Sequence, residues 1–81
     1  MERLTKEIAE SIRKKHNISK FFFYGLIRGY EFYLGVSPNG GKTGFPCVFG
    51  IDEQQNVTYV TDFETLGIVR KSSKSLERVF L

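Results

Sequence analysis

Residues 21–36 read F-F-F-Y-G-L-I-R-G-Y-E-F-Y-L-G-V, a run crowded with aromatic and branched side chains and without helical spacing. Such side chains fit a pleated surface, and Arg28-Gly29 offers a point of reversal, so the run predicts two strands of one hairpin. With a two-residue turn, Ile27 faces Tyr30, and residues that face each other share a side of the sheet. That register places Phe21, Phe23 and Ile27 with Tyr30, Phe32, Leu34 and Val36 on a core face. Phe22, Tyr24, Leu26, Glu31 and Tyr33 fall on the opposite face. A slip of one residue would exchange the two sets of one strand, but either choice leaves both faces rich in rings.

Upstream, Leu4, Ile8 and Ile12 recur at every fourth position between Glu2 and His16, with Ala9 beside them and charges elsewhere. One stripe of a helix is then apolar, which predicts an amphipathic helix lying on the sheet. Arg13, Lys14, Lys15 and His16 suit the negative end of its dipole, and Asn17 can adopt the left-handed conformation that stops it. Downstream, Phe45, Cys47, Phe49 and Ile51 alternate with Pro46, Val48, Gly50 and Asp52, and residues 57–61 are again β-branched and aromatic. The pattern predicts a second hairpin closed by the polar residues 53–56. Pro46 has no N–H for a ladder, so the start of its strand is expected at an edge or a bulge. Thr61 and Glu64 have the spacing of a capping box and predict a short helical turn. Ser73 or Ser75 could cap a last short helix carrying Leu76, Val79, Phe80 and Leu81. The expected architecture is α+β: an N-terminal amphipathic helix packed on an antiparallel four-stranded β-meander, with a short C-terminal helix, in a single small domain spanning residues 1–81.

A chain of 81 residues has room for one modest core, burying a little over about 60% of its unfolded surface. The single cysteine, Cys47, cannot close an intramolecular disulfide, and charges begin at Glu2, which together point to a cytoplasmic protein. The densest apolar stretch is broken by Gly25, Arg28 and Gly29, well short of the roughly 18 apolar residues of a membrane span. No association with a membrane is expected. Net charge is +3, unevenly placed: Met1–Lys20 carries six basic and three acidic residues, Gly50–Glu64 four acidic and no basic, and Gly67–Leu81 four basic and one acidic. Both ends are basic and the middle is acidic.

Few motifs survive a test of spacing. G-V-S-P-N-G-G-K-T-G, residues 35–44, looks like a phosphate loop, but that loop needs the Lys directly after a second glycine separated from the first by four residues, and a helix after it. Here Gly41 stands where the Lys belongs, and the strand-like F-P-C-V-F follows. The run reads as a loop joining two hairpins, with Asn39 and Lys42 as candidate contact residues. R-G-Y-E-F-Y-L-G, residues 28–35, matches four specified positions of the ring pattern with which sheet-based RNA binders stack bases, at Arg28, Gly29, Tyr30 and Phe32, and misses at Glu31, Tyr33 and Gly35. Cys47 and His16 are the only thiol and imidazole. In an apolar strand the thiol stays protonated, and one Cys with one His cannot complete a four-ligand metal site. Asp52, Glu53, Asp62 and Glu64 flank turns, where acids cap and solvate. No catalytic residue, metal or cofactor is expected.

What remains is surface. Phe22, Tyr24, Leu26 and Tyr33, joined by Tyr59, form an apolar sheet face that something must cover: the C-terminal tail, a second copy in a homodimer, or another protein. The primary expectation is a non-enzymatic binding domain acting through protein–protein contact, as an inhibitor, adaptor or regulatory subunit. The alternative is sequence-independent nucleic-acid binding through Arg13, Lys14, Lys15 and Lys20 at one end and Arg70, Lys71 and Lys74 at the other.

Overall fold

Thr5 starts the first helix, α1, Lys6–His16, by accepting a hydrogen bond from the N–H of Ile8 on its side-chain oxygen, at 3.2 Å. The computed structural model in which this is seen describes residues 3–38, 47–72 and 76–81. The helix begins later than the apolar spacing implies, because Leu4 lies ahead of the cap and enters the core from an extended segment. Asn17 ends it as expected, in the left-handed conformation (φ 50°, ψ 55°), with its N–H donating to the carbonyl of Arg13 at 2.9 Å.

Strands β1, Lys20–Ile27, and β2, Tyr30–Val36, form the first hairpin. Arg28 and Gly29 both take positive φ, 54° and 85°, and Ile27 faces Tyr30 as the two-residue turn requires. Leu26 then faces Glu31 and Gly25 faces Phe32, but the next facing pair is Phe23 with Tyr33, leaving Tyr24 as the extra residue of a β-bulge. Gly25, at φ 148°, supplies a backbone conformation that a side chain would resist.

The bulge corrects the expected division of faces. Before it, Phe21 and Phe23 point to the core as predicted, but their neighbours on β2 are Gly35 and Tyr33 rather than Val36 and Leu34. Tyr33 and Glu31 therefore lie on the core face, and Tyr30 and Phe32 on the other. One inserted residue exchanges the sides of everything that follows it, because side chains alternate with a period of two.

Strand β3, Cys47–Ile51, pairs with β2, and β4, Val57–Tyr59, pairs with β3, so that Tyr33, Phe49 and Tyr59 align across three strands. The β3–β4 turn is fixed by Asp52: its carbonyl accepts from the N–H of Gln55 at 3.1 Å, and its carboxylate accepts from the N–H groups of Gln54 and Asn56, both at 2.9 Å. Gln55 is left-handed, φ 63°. Residues 39–46 between β2 and β3, Pro46 among them, lie outside the described residues.

The C-terminal third departs most from expectation. The predicted turn is a helix of ten residues, α2, Phe63–Ser72. Its cap is Asp62 rather than Thr61: the Asp62 carboxylate accepts from the N–H of Thr65 at 2.8 Å. The predicted last helix is instead a strand, β5, Glu77–Val79, paired antiparallel with β1 through Phe21, Phe22 and Phe23. The fold is α+β with a five-stranded antiparallel sheet in the order β4-β3-β2-β1-β5, a meander of four strands to which the fifth is added beside the first. So short a segment has little helical drive of its own, whereas β1 offers it a strand to pair with.

Each face of the sheet has a helix. On the first, α1 supplies Ile8, Ala9 and Ile12, and these pack with Leu4 and Ile18 over Phe21, Phe23, Tyr33, Phe49, Ile51 and Val79. Gly35 lies directly beneath Ile18, so close that a Cβ there would overlap the isoleucine side chain. On the second face, Phe32 and Val48 are buried, as is Val69 of α2, and Phe32 lies over Gly50 on the neighbouring strand.

Candidate functional site

The first face is closed by a buried polar network at the hairpin end of the sheet. Glu31 is 5% exposed. Its carboxylate accepts from the Tyr33 hydroxyl and from the backbone N–H of Arg3, each at 2.7 Å, and the Arg3 Nε stands 3.8 Å away. Arg3 also donates from its guanidinium to the carbonyls of Gly29 and Ile51, at 2.7 and 3.0 Å. The Tyr33 hydroxyl, the Arg3 N–H and the Arg3 guanidinium thus converge on one buried carboxylate, while the same guanidinium ties the first turn and β3 to the N-terminal segment. This network stitches the segment ahead of α1 to the sheet, and no buried side-chain N or O among the described residues lacks a hydrogen-bond partner. Sequence reading assigned Glu31 to the wrong face and gave Arg3 no role, because the pairing depends on the bulge and on a separation of 28 residues.

Around it, Tyr33 stacks on Phe49 (5.6 Å between centroids, 17° between planes), Phe21 meets Phe49 edge-on at 6.0 Å, and His16 lies edge-on to Tyr59 at 4.9 Å. These contacts divide the predicted interface. Tyr33 is fully buried and Tyr59 partly so, both beneath α1; Phe22 is half-buried on the second face, Tyr24 half-buried in the bulge, and Leu26 exposed beside the turn. The five residues do not form one surface.

The predicted cations are likewise distributed. Lys14, Lys15 and Lys20 are exposed where α1 gives way to β1, while the Arg13 guanidinium lies 5.3 Å from the Phe21 ring centroid. Arg70 and Lys71 are exposed in the last turn of α2, on the other side of the sheet. Lys74, Asn39 and Lys42 lie outside the described residues, as does the side chain of Cys47.

No group of three or more His, Cys, Asp and Glu side chains comes together among the described residues. His16 is exposed at a helix end. Asp52 and Asp62 are held below the ordinary carboxyl value: Asp52 mainly by the N–H of Asn56, and Asp62 by Thr65, through its side chain and then its N–H. Both stay ionised and serve a turn and a helix cap. A cleft of about 200 Å³ opens on the second face between the sheet and the start of α2, lined by Tyr30, Phe32, Gly50, Thr58 and Thr65. That is smaller than the roughly 300–1,000 Å³ usual for a small-molecule site.

Of the five large apolar side chains exposed among the described residues, Phe63 (79%) opens α2 and Leu26 (62%) lies beside the first turn, and the other three gather elsewhere. Phe80 is 78% exposed, Leu76 44% and Leu81 39%. All three flank β5, the terminal strand of the sheet. Leu76, Arg78 and Phe80 alternate onto the second face, and the Arg78 guanidinium lies 4.7 Å from the Phe80 ring centroid. L-E-R-V-F-L carries no strand alternation; its apolar positions 76, 79 and 80 have helical spacing, so no local signal marked it as a strand.

No protein-family model matches the chain, and no curated protein or solved structure matches it either. No helix among the described residues is long and apolar enough to cross a membrane.

Proposed function

We propose that this chain is a small non-enzymatic binding domain that works through protein–protein contact, as an inhibitor, adaptor or regulatory subunit, and that its contact surface is the β5 edge. The observation that carries the reading is Phe80, 78% exposed beside a terminal strand and flanked by Leu76 and Leu81. Exposed apolar side chains in a row mark interfaces, and a terminal strand offers main-chain hydrogen bonds to an incoming chain. The site differs from the sheet face expected from the sequence because Tyr33 and Tyr59 lie beneath α1 while Phe22 lies on the opposite face, so those residues share no surface. A cytoplasmic setting goes with this reading. The test is association, with itself or with another protein, measured by analytical ultracentrifugation and by affinity capture for the wild type and for Leu76→Ser/Phe80→Ser. The double variant should fold and lose association; association that survives it unchanged would overturn the reading.

A second reading, sequence-independent nucleic-acid binding, draws on Lys14, Lys15 and Lys20, exposed together at the junction of α1 and β1. It predicts binding to single- or double-stranded DNA or RNA that falls steeply with salt and weakens in Lys14→Glu/Lys15→Glu. Absence of retention on heparin at low salt would remove it.

A further inference from the structure

We infer that the partner of the β5 edge is a second copy of this chain, joined by antiparallel pairing of β5 with the copy's β5 about a two-fold axis through Val79. The inference rests on the protein-contact reading above and names its occupant.

The argument begins with the edge. Among the described residues β5 has a strand, β1, on one side only, and its unpaired N–H and C=O groups form a template for another strand. Symmetry then restricts the register. A two-fold axis perpendicular to the sheet keeps every side chain on its own face, so facing residues must be an even number of positions apart, and the axis must pass at a residue that faces its own copy. For an axis within Glu77–Val79 there are three choices. At Glu77 two carboxylates face each other, and at Arg78 two guanidinium groups do; like charges directly opposite are destabilising. At Val79 the axis brings valine to valine, Glu77 opposite the copy's Leu81, and Arg78 opposite the copy's Phe80. Only this register separates the like charges.

It also extends a contact already present. Arg78 lies 4.7 Å from its own Phe80 ring, so across the axis two cations and two rings alternate on the second face, each ring between two guanidinium groups. Phe80 and Leu81, exposed in one copy, become covered. The joined sheet has ten strands with both α1 helices on one side, at the upper end of what open sheets reach. Such a short pairing lies at the low end of specific interfaces, below about 1,200 Å² in total, so the dimer should dissociate on dilution.

The test is sedimentation velocity over a concentration series from about 10 μM to about 1 mM, as suits a weak interface, on the wild type, Phe80→Lys and Arg78→Glu/Phe80→Lys. Circular dichroism confirms that each folds; both side chains are exposed. The wild type should dimerise reversibly. Phe80→Lys sets a lysine opposite Arg78 at two symmetric positions and should weaken the dimer about tenfold or more. Arg78→Glu/Phe80→Lys replaces each like-charge pair with an opposite one and should return the dimer to within about threefold of the wild type. A wild type monomeric throughout would overturn self-pairing, while loss of capture in Leu76→Ser/Phe80→Ser would still uphold contact with a different protein. A dimer indifferent to Phe80→Lys would overturn the edge, and failure of the double variant to recover would overturn the register.

Discussion

The two faces of the sheet carry similar numbers of rings but use them differently. Beneath α1, Tyr33, Phe49, Phe21 and Tyr59 form one chain of ring contacts, and the buried carboxylate of Glu31 has donors from Tyr33 and Arg3. Beneath α2, Val69, Phe32 and Val48 are buried, but a cleft remains open beside Tyr30, and the edge toward β5 leaves Leu76 and Phe80 exposed. A closed face holds a domain together; an incompletely covered one can bind. The surplus rings were expected to form the contact surface, whereas two of them, Tyr33 and Tyr59, are packed beneath α1.

The comparison breaks most visibly at Phe49. Phe49→Ala, at the centre of the first face, should lower unfolding free energy by about 3–5 kcal/mol in urea titration, enough to leave so small a domain largely unfolded. Glu31→Ala comes next, at about 1–3 kcal/mol, because it strands the Tyr33 hydroxyl and the Arg3 N–H without an acceptor; a variant as stable as the wild type would show the network to be incidental. A smaller effect distinguishes the second face through Asp62 at the start of α2. Its folded-state pKa is depressed below 3.8, so its contribution is present above the unfolded value and disappears as pH falls through the folded one. Asp62→Asn keeps a capping oxygen without the charge, and its stability should fall less than that of the wild type on titration below about pH 4. Smallest of all, Phe80→Ser should change monomer stability by no more than about 0.5 kcal/mol, measured at a concentration where the chain is monomeric, because its ring is exposed. A large loss there would make Phe80 part of the core and remove it as a contact residue.

These elements also show where sequence was sufficient. The α1 stripe, its stop at Asn17 and the Arg28-Gly29 turn are local: each depends on residues within a few positions of one another, and each appeared where expected. The cap did not, since Thr5 and Asp62 compete with equally good neighbours such as Thr61, and only the path of the chain into the core chooses between them. β5 was missed for a related reason. A strand of three residues has no stability of its own and exists because β1 stands beside it. The contact residues Leu76, Phe80 and Leu81 were visible as apolar positions, but their exposure followed from that pairing.

The sequence by itself determined that this chain is a small α+β domain with one amphipathic helix, two hairpins and more aromatic area than one side of a sheet needs, because period and turn chemistry are encoded locally. Tertiary structure decided which rings are core and which edge is open. A single bulged residue, Tyr24, moved Tyr33 and Glu31 under α1, since in a sheet one extra residue on a strand reverses the side of everything beyond it.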